Sequence, residues 1–318
     1  MTRRAARAVQ RVLYPIPKHL AKNHVTVGGD ALRELRTCLE TNLYRGSRDP
    51  KLYGDTYEYT LQNKILGRLN WQRRMIVPWL DAAKPLWGSR ILEIGCGSGP
   101  STVGLAEQGA SVVGIDVDAD ALDVARERMR IYGLPAEFRL TNGADLDAFQ
   151  GEHFDFVIFF ATFEHMTIPE RLKALRDTWQ LLPMGGLLVI VETPNRLWYF
   201  DGHTARLPFY HWLPDDLAFE YARFSKRVHF REMYYDISTQ REAFLRRGRG
   251  VSFHEFDVAI RPSQTLDVVS SLSTYHGIRY RPQRNLFDRR YRRLLKRIYP
   301  GLHDGFYQAA LFLIVRKD

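Results

Sequence analysis

The chain is poor in cysteine: Cys38 and Cys96 are the only two in 318 residues. Two cysteines exclude a disulfide scaffold and a structural zinc site of the usual spacing, and they fit a reducing, cytoplasmic setting. No apolar run reaches the ~18 residues needed to span a bilayer. The basic start has no apolar core of the kind a secretory signal carries. Acids are missing there too. Arg3, Arg4, Arg7, Arg11, Lys18 and Lys22 precede the first of them, Asp30. No self-similarity with a period of ~20–50 residues marks a repeat architecture. What is present is a globular composition, 45% hydrophobic with a formal net charge of +10. It excludes a disordered chain and suffices for one domain with insertions or two domains.

The most informative stretch is Arg90-Ile-Leu-Glu93-Ile-Gly95-Cys96-Gly97-Ser-Gly99-Pro100-Ser101-Thr102. It reads as a buried strand, a tight glycine turn and a helix N-terminus. Glycine lets a ligand approach the backbone, because it has no Cβ and tolerates positive φ. A dinucleotide fingerprint would need glycine where Pro100 stands, and a P-loop would need Gly-Lys-Ser/Thr. Glu93 would repel a phosphate and suits a cationic or amine-bearing ligand. The stretch Ser111–Asp118 holds a second apolar strand ending in an acid, with Asp116 placed to bind a ribose diol.

Glu93, the glycine turn and Asp116 together resemble the class I S-adenosylmethionine-dependent methyltransferases. Further pieces follow in the family's order. Ala136–Leu140 reads as strand three, before Asn142-Gly143-Ala144. Phe154–Thr162 reads as strand four, before Glu164-His165. Leu182-Pro-Met-Gly185-Gly186 leads into strand five, and Ala309–Val315 is a final antiparallel strand at or near an edge. The match covers about Leu80–Asn195 and that last strand. It implies an α/β fold: a doubly wound, mostly parallel seven-stranded sheet with helices on both faces. It also implies S-adenosylmethionine as cofactor, held by Glu93, Gly95, Cys96, Gly97, Gly99, Asp116, Val117, Asn142, Gly143, Ala144 and Phe160.

Amphipathic helices separate the strands. Asp118–Tyr132 carries Leu122, Ala125, Met129 and Tyr132 on one stripe, and Pro169–Leu182 carries Leu172, Leu175, Trp179 and Leu182. Residues 1–85 form an N-terminal helical extension, with Tyr53, Tyr57 and Tyr59 as candidates for a lid or for plain packing. Residues 86–318 form the catalytic domain, with substrate-cap insertions at about 196–240 and 261–306. Leu213–Phe224 reads as a helix begun by Pro214. The alternating stretch Val251–Ile260 reads as strand six, and Thr265–Tyr299 as a helical insertion before the last strand.

Methyl transfer needs an acceptor held in line and water excluded. An oxygen acceptor also needs a base. His165, opening a helix beside Glu164, and His203, which Asp201 is placed to orient, are the candidates. His254, on the expected strand six, reads as a core histidine. His211 and His229 carry no pattern. Some relatives bind a divalent ion through Glu-x-x-Glu-His. Here Ala161 replaces the first acid, so no metal is expected. Oxygen is favoured because histidines surround the pocket, and no Asn-Pro-Pro-Tyr or Asp-Pro-Pro-Tyr follows strand four. Trp198, Tyr199, Phe200, Phe209, Tyr210 and Trp212 suggest a flat or greasy acceptor, which fits a small molecule or a lipid- or glycan-linked one.

Basic residues cluster at Arg279–Arg297, interleaved with Tyr280, Phe287 and Tyr291. Such a segment suits RNA, an anionic membrane surface, a phosphorylated substrate, or no partner at all. The basic arm Thr2–Leu20, with Val9, Val12, Leu13 and Ile16, reads as a weak surface-binding helix or a frayed tail. Two other readings stay open: an RNA methyltransferase working through 279–297, and a non-catalytic binding protein built on the cofactor fold.

Overall fold

A computed structural model describes residues 21–44, 57–236, 241, 244, 246–277 and 285–318. Outside them lie Arg3, Arg4, Arg7, Val9, Arg11, Val12, Leu13, Ile16, Lys18, Tyr53, Arg279, Tyr280, Arg281 and Arg284.

The seven strands are β1 (Arg90–Ile94), β2 (Ser111–Asp116), β3 (Glu137–Leu140), β4 (Phe156–Phe160), β5 (Leu187–Pro194), β6 (Asp267–Ser271) and β7 (Ala310–Arg316). Their order across the sheet is β3-β2-β1-β4-β5-β7-β6. β1 to β5 run parallel, and β7 lies antiparallel between β5 and β6. The strand order reverses between β1 and β4, so a crevice opens at their carboxyl ends.

Period-two alternation builds a core on each face of the sheet. Leu92, Ile94, Val113, Ile115, Val157 and Phe159 point one way, and Ile91, Val112, Phe156 and Ile158 the other. The second face is covered by α3 (Pro100–Ala106), α4 (Ala119–Tyr132) and the later part of the N-terminal helices, whose first helix packs instead on α4 in a separate cluster. The N-terminal helices are α1 (Gly29–Leu43) and α2, a continuous run of Tyr57–Gln62, Asn63–Gly67, Arg68–Trp71, Gln72–Ile76 and Val77–Ala83 whose second and fourth segments are π-helical. The first face is covered by α5 (Ile168–Leu181) and α8 (Phe253–Ala259). The expected stripe of α4 is buried as read. Between β5 and α8 lie α6 (Asp215–Ala222) and α7 (Val228–Asp236), and α9 (Leu272–His276) and α10 (Leu286–Ile298) precede β7.

Two expectations are corrected. Val251–Ile260 is a helix rather than strand six. Ser252 and Glu255 form a capping box, and Phe253 and Phe256 share the buried side at helical spacing. The sixth strand is Asp267–Ser271, inside the stretch expected to be helical. Its outer edge is unpaired, and its Asp-Val-Val-Ser-Ser sequence carries only a short apolar signal.

Candidate active site

The glycine turn closes the carboxyl end of β1. The amides of Gly95 and Cys96 both donate to the Ile115 carbonyl, at 2.9 and 3.1 Å. Gly95, with φ 78°, sits where a Cβ would lie 2.1 Å from Thr162 Oγ1, so the loop after β4 can press against the turn. Gly97, with φ 52°, has nothing within 4 Å of the Cβ position, so its face of the turn is open. Asp116 joins the turn to the end of β2: Oδ2 accepts from the Gly97 amide at 2.8 Å, and Oδ1 accepts from the Asp118 amide at 3.0 Å. Each oxygen keeps a lone pair for a further donor. Burial pushes this carboxyl above its ordinary value.

Glu93 is fully buried beneath the turn. Its oxygens accept from the hydroxyls of Ser101 and Thr102, so it braces the start of α3 rather than lining the open side. Burial pushes it up to about 7. Cys96 is also buried, and burial carries its thiol well above the ordinary range. Val117 is exposed at the end of β2, and Phe160 half-buried at the end of β4. Asn142 Oδ1 accepts from the Ala144 amide at 3.0 Å, bending the loop after β3 so that Gly143 packs against Ile94.

On the other side of the crevice, Phe163–His165 forms a single tight helical turn before α5. Glu164 is buried. Oε2 accepts from Thr193 Oγ1 at 3.4 Å, while Oε1 is a buried oxygen without a hydrogen-bond partner. His165 Nε2 lies 3.9 Å and His203 Nε2 3.8 Å from that same Oε1, too long for hydrogen bonds. Burial pushes Glu164 up to about 8. His165 Nδ1 is 2.7 Å from the Arg246 carbonyl, so Nδ1 carries the proton and Nε2 keeps the lone pair. Both imidazoles remain nearly half exposed, and partial burial lowers both below the ordinary histidine value.

Asp201 does not orient the His203 ring. Its carboxylate accepts the backbone amides of His203, Thr204, Ala205 and Arg206, and the imidazole beside it is that of His211, with Nε2 at 3.2 Å but outside hydrogen-bond geometry. The Gly250 amide donates to His211 Nδ1, so Nε2 carries the proton facing Asp201. Burial raises Asp201, but His211 and the amides outweigh it and hold it down to about 2. His254 is not a core histidine: on α8 it falls outside the buried stripe of Phe253 and Phe256 and is exposed. Among the described residues no group of three or more His, Cys, Asp or Glu side chains is arranged to hold a metal ion.

Residues 91–186 match a family described as methyltransferase domain. The glycine turn, Asp116 and the Glu164–His165 pair all lie within the matched methyltransferase domain. A ubiquinone biosynthesis O-methyltransferase of Azoarcus sp. (strain BH72) is 37% identical over 118 residues, which is 37% of this chain and 49% of that protein. One from Ruegeria sp. (strain TM1040) is 43% identical over 117 residues, 37% of this chain and 46% of that one. The chain thus spans about half the length of the curated relatives it matches. Among solved structures, magnesium protoporphyrin IX methyltransferase from Synechocystis PCC 6803 is 23% identical with a TM-score of 0.38, covering 51% of this chain and 74% of that one.

Several residues that hold the crevice together were not singled out from sequence. Arg128, fully buried on α4, donates to the carbonyls of Ser98, Ile65 and Lys64 at 2.7, 2.9 and 2.8 Å, tying the glycine turn to α2. Arg171, buried on α5, donates to the carbonyls of Phe163, Met166, Arg249 and Gly250, fixing the loops around Glu164. The signal for both was in the chain: each arginine stands on its helix's apolar stripe. Glu192, at φ 62° in a bulge of β5, pairs with Arg68 of α2 at 2.7 Å, and its charge bears on Glu164 and His203.

Of the lid candidates, Tyr57 donates to Glu40 and packs on Tyr44, and Tyr59 is exposed. Of the aromatic cap, Trp198 and Tyr210 are core residues, whereas Phe200, Phe209 and Trp212 reach solvent. A cavity of about 670 Å³ lies beyond them, lined mainly by apolar side chains of α5, α8 and α10 together with Trp212 and Arg196. No residue of the glycine turn borders it.

Proposed function

We propose that the chain is an S-adenosylmethionine-dependent O-methyltransferase acting on a small-molecule acceptor, with a lipid- or glycan-linked acceptor as the finer form of that reading. The observation that carries it is the open face of Gly97 beside the Asp116 carboxylate, facing the crevice onto which two imidazole Nε2 atoms converge. The O-methyltransferase relatives support the choice of oxygen, though each is matched over only half its length. The free Cys38 and Cys96 suit a reducing cytoplasm.

The residues present fit the cofactor. The backbone of Gly95, Cys96, Gly97 and Gly99 would receive its methionine part, with Glu93 bracing the turn from below. Asp116 has lone pairs for the two ribose hydroxyls, and Val117, Asn142, Gly143, Ala144 and Phe160 surround the place of the base. When bound, the cofactor supplies an activated methyl group on a sulfonium, which is its own leaving group. The protein's part is to position the acceptor and remove its proton.

His165 is the better-defined base: its Nδ1 proton is held by the Arg246 carbonyl, which leaves Nε2 free to take a proton from an acceptor hydroxyl. His203 Nε2 stands on the other side of Glu164 Oε1. A protonated imidazole beside Oε1 would be stabilised by the ionised form of Glu164, so this carboxyl acts through the histidines. Arg171 and Asp201 are positioning residues, since they fix loops rather than reach the crevice.

The test is methyl transfer from radiolabelled S-adenosylmethionine into host extract separated into small molecules, lipids, glycan and nuclease-sensitive RNA. Label should enter one of the first three fractions, and His165→Ala and His203→Ala should lower it by ~10²–10⁴-fold. Label confined to the nuclease-sensitive fraction would make this an RNA enzyme. Tight cofactor binding with no label anywhere would favour a binding protein.

A further inference from the structure

Helix α10, Leu286–Ile298, is thirteen residues long and spans about 20 Å. Asn285 and Asp288 fix its start with a capping box. Asp288, Tyr291, Arg292 and Leu295 face the protein. The Tyr199 hydroxyl donates to Asp288 and the Tyr291 hydroxyl to the Leu197 carbonyl, both at 2.7 Å, and Arg292 pairs with Asp304 at 3.0 Å. The outward side follows from about 100° of rotation per residue. Along one edge of it, about a quarter turn from the buried side, lie Phe287, Leu294 and Ile298, which are 58%, 51% and 68% exposed, the Phe287 ring also packing edge-on against Tyr199. Beside them stand Arg289, Arg290, Arg293 and Arg297, all exposed and, among the described residues, without a carboxylate at ion-pairing distance.

The neighbouring surface continues the pattern. The 670 Å³ cavity opens alongside Tyr291 and Leu295, and its rim carries the exposed side chains of Ile168, Val258 and Trp212. An apolar stripe edged by unpaired arginines is a costly surface to leave in water. It has the form of a helix lying in an interface, its aliphatic side chains among acyl chains and its guanidinium groups at the level of the headgroup phosphates.

We propose that this face docks on an anionic lipid bilayer, with Phe287, Leu294 and Ile298 inserted and the arginines contacting phosphate. The side chains at the centre of the stripe decide between lipid and nucleic acid. Leu294 and Ile298 are aliphatic and give a base no ring to stack on, whereas hydrocarbon accepts them. The inference does not depend on methyl transfer, and its readout is partition alone.

The experiment is co-sedimentation of the intact protein with vesicles of phosphatidylcholine, and with vesicles of equal parts phosphatidylcholine and phosphatidylglycerol. Each arginine near a charged surface strengthens partition roughly fivefold, so the anionic vesicles should be preferred by at least ~10-fold at low salt, less in high salt. Leu294→Ser with Ile298→Ser should cut binding to anionic vesicles by at least ~10-fold without altering charge. Arg290→Gln with Arg297→Gln should shrink the preference for anionic lipid by a similar factor. All four side chains are exposed, so the urea-unfolding midpoint should not move, and if one pair does disturb the fold the other still decides. No sedimentation with anionic vesicles, equal sedimentation with neutral ones, or binding unchanged in both pairs would overturn the proposal. Binding of a single-stranded oligonucleotide without binding of vesicles would overturn it in favour of nucleic acid.

Discussion

Arg128→Met should weaken both the fold and the cofactor site. The guanidinium is fully buried on α4, and burial lowers its pKa only to about 10, so it is charged at neutral pH. It has no carboxylate partner among the described residues, and three backbone carbonyls solvate it instead. Two of these, of Lys64 and Ile65, belong to the first π-helical segment of α2, where a widened turn leaves carbonyls to be satisfied from outside. The third, of Ser98, belongs to the glycine turn. Hydrogen bonds to a charged group contribute roughly 1.5–3 kcal/mol each, and the relief of no longer burying a charge offsets part of the loss. Methionine keeps most of the volume, so no large cavity adds to the cost. The net destabilisation should be about 2–4 kcal/mol, read as a lower midpoint in urea at unchanged slope. The turn loses its tether to α2 as well, so S-adenosylmethionine affinity should fall by roughly tenfold, about 1.4 kcal/mol. Arg128→Lys, which keeps the charge but not the fork, should fall between the two. An Arg128→Met protein with the wild-type midpoint and affinity would show that the turn holds itself and that the link to α2 is incidental.

Gly97→Ala and Gly95→Ala should separate binding from folding. The first strains φ over open space and should mainly cost cofactor affinity, while the second also collides with Thr162 and should lower the unfolding midpoint; equal effects on both readouts would contradict the assignment. A base with a lowered pKa works only when neutral, so kcat/KM should rise with pH around a midpoint below 6.5 and then level off. A rising limb centred above 6.5 would exclude His165 and His203 as that base. Burial raises Glu93 to about 7 and Glu164 to about 8 from 4.5, so between pH 4.5 and 8 these two carboxyls bind more protons in the fold than in the unfolded chain. Their contribution to stability should therefore fall as pH rises through that window, and Glu164→Gln should shift the upper part of the urea-unfolding profile toward rising stability with pH; a profile parallel to the wild type there would show that Glu164 does not carry a proton in the fold.

The parallel half of the sheet and the glycine turn were legible in the sequence because their physics is local. Buried parallel strands read as continuous apolar runs, and the Gly95-x-Gly97-x-Gly99 spacing has few alternative uses. The regions after β5 were harder. Val251–Ile260 alternates like a strand, yet the Ser252–Glu255 capping box outweighs the alternation. β6 pairs only with β7 and carries little apolar signal of its own. The crevice was half legible. Glu164, His165 and His203 do converge, but Asp201 serves His211 instead. That pairing depends on the fold bringing Gly250 beside His211, which no spacing along the chain reveals.

Titration calorimetry of S-adenosylmethionine into the protein and its Asp116→Ala variant tests the cofactor site most directly. The wild type should bind one cofactor per chain, and the variant should lose ~1–3 kcal/mol, a ~5- to 150-fold weaker Kd, the scale of charge-assisted hydrogen bonds to the ribose. Equal affinity in the two would place the ribose elsewhere, and no binding by the wild type would contradict the methyltransferase reading itself.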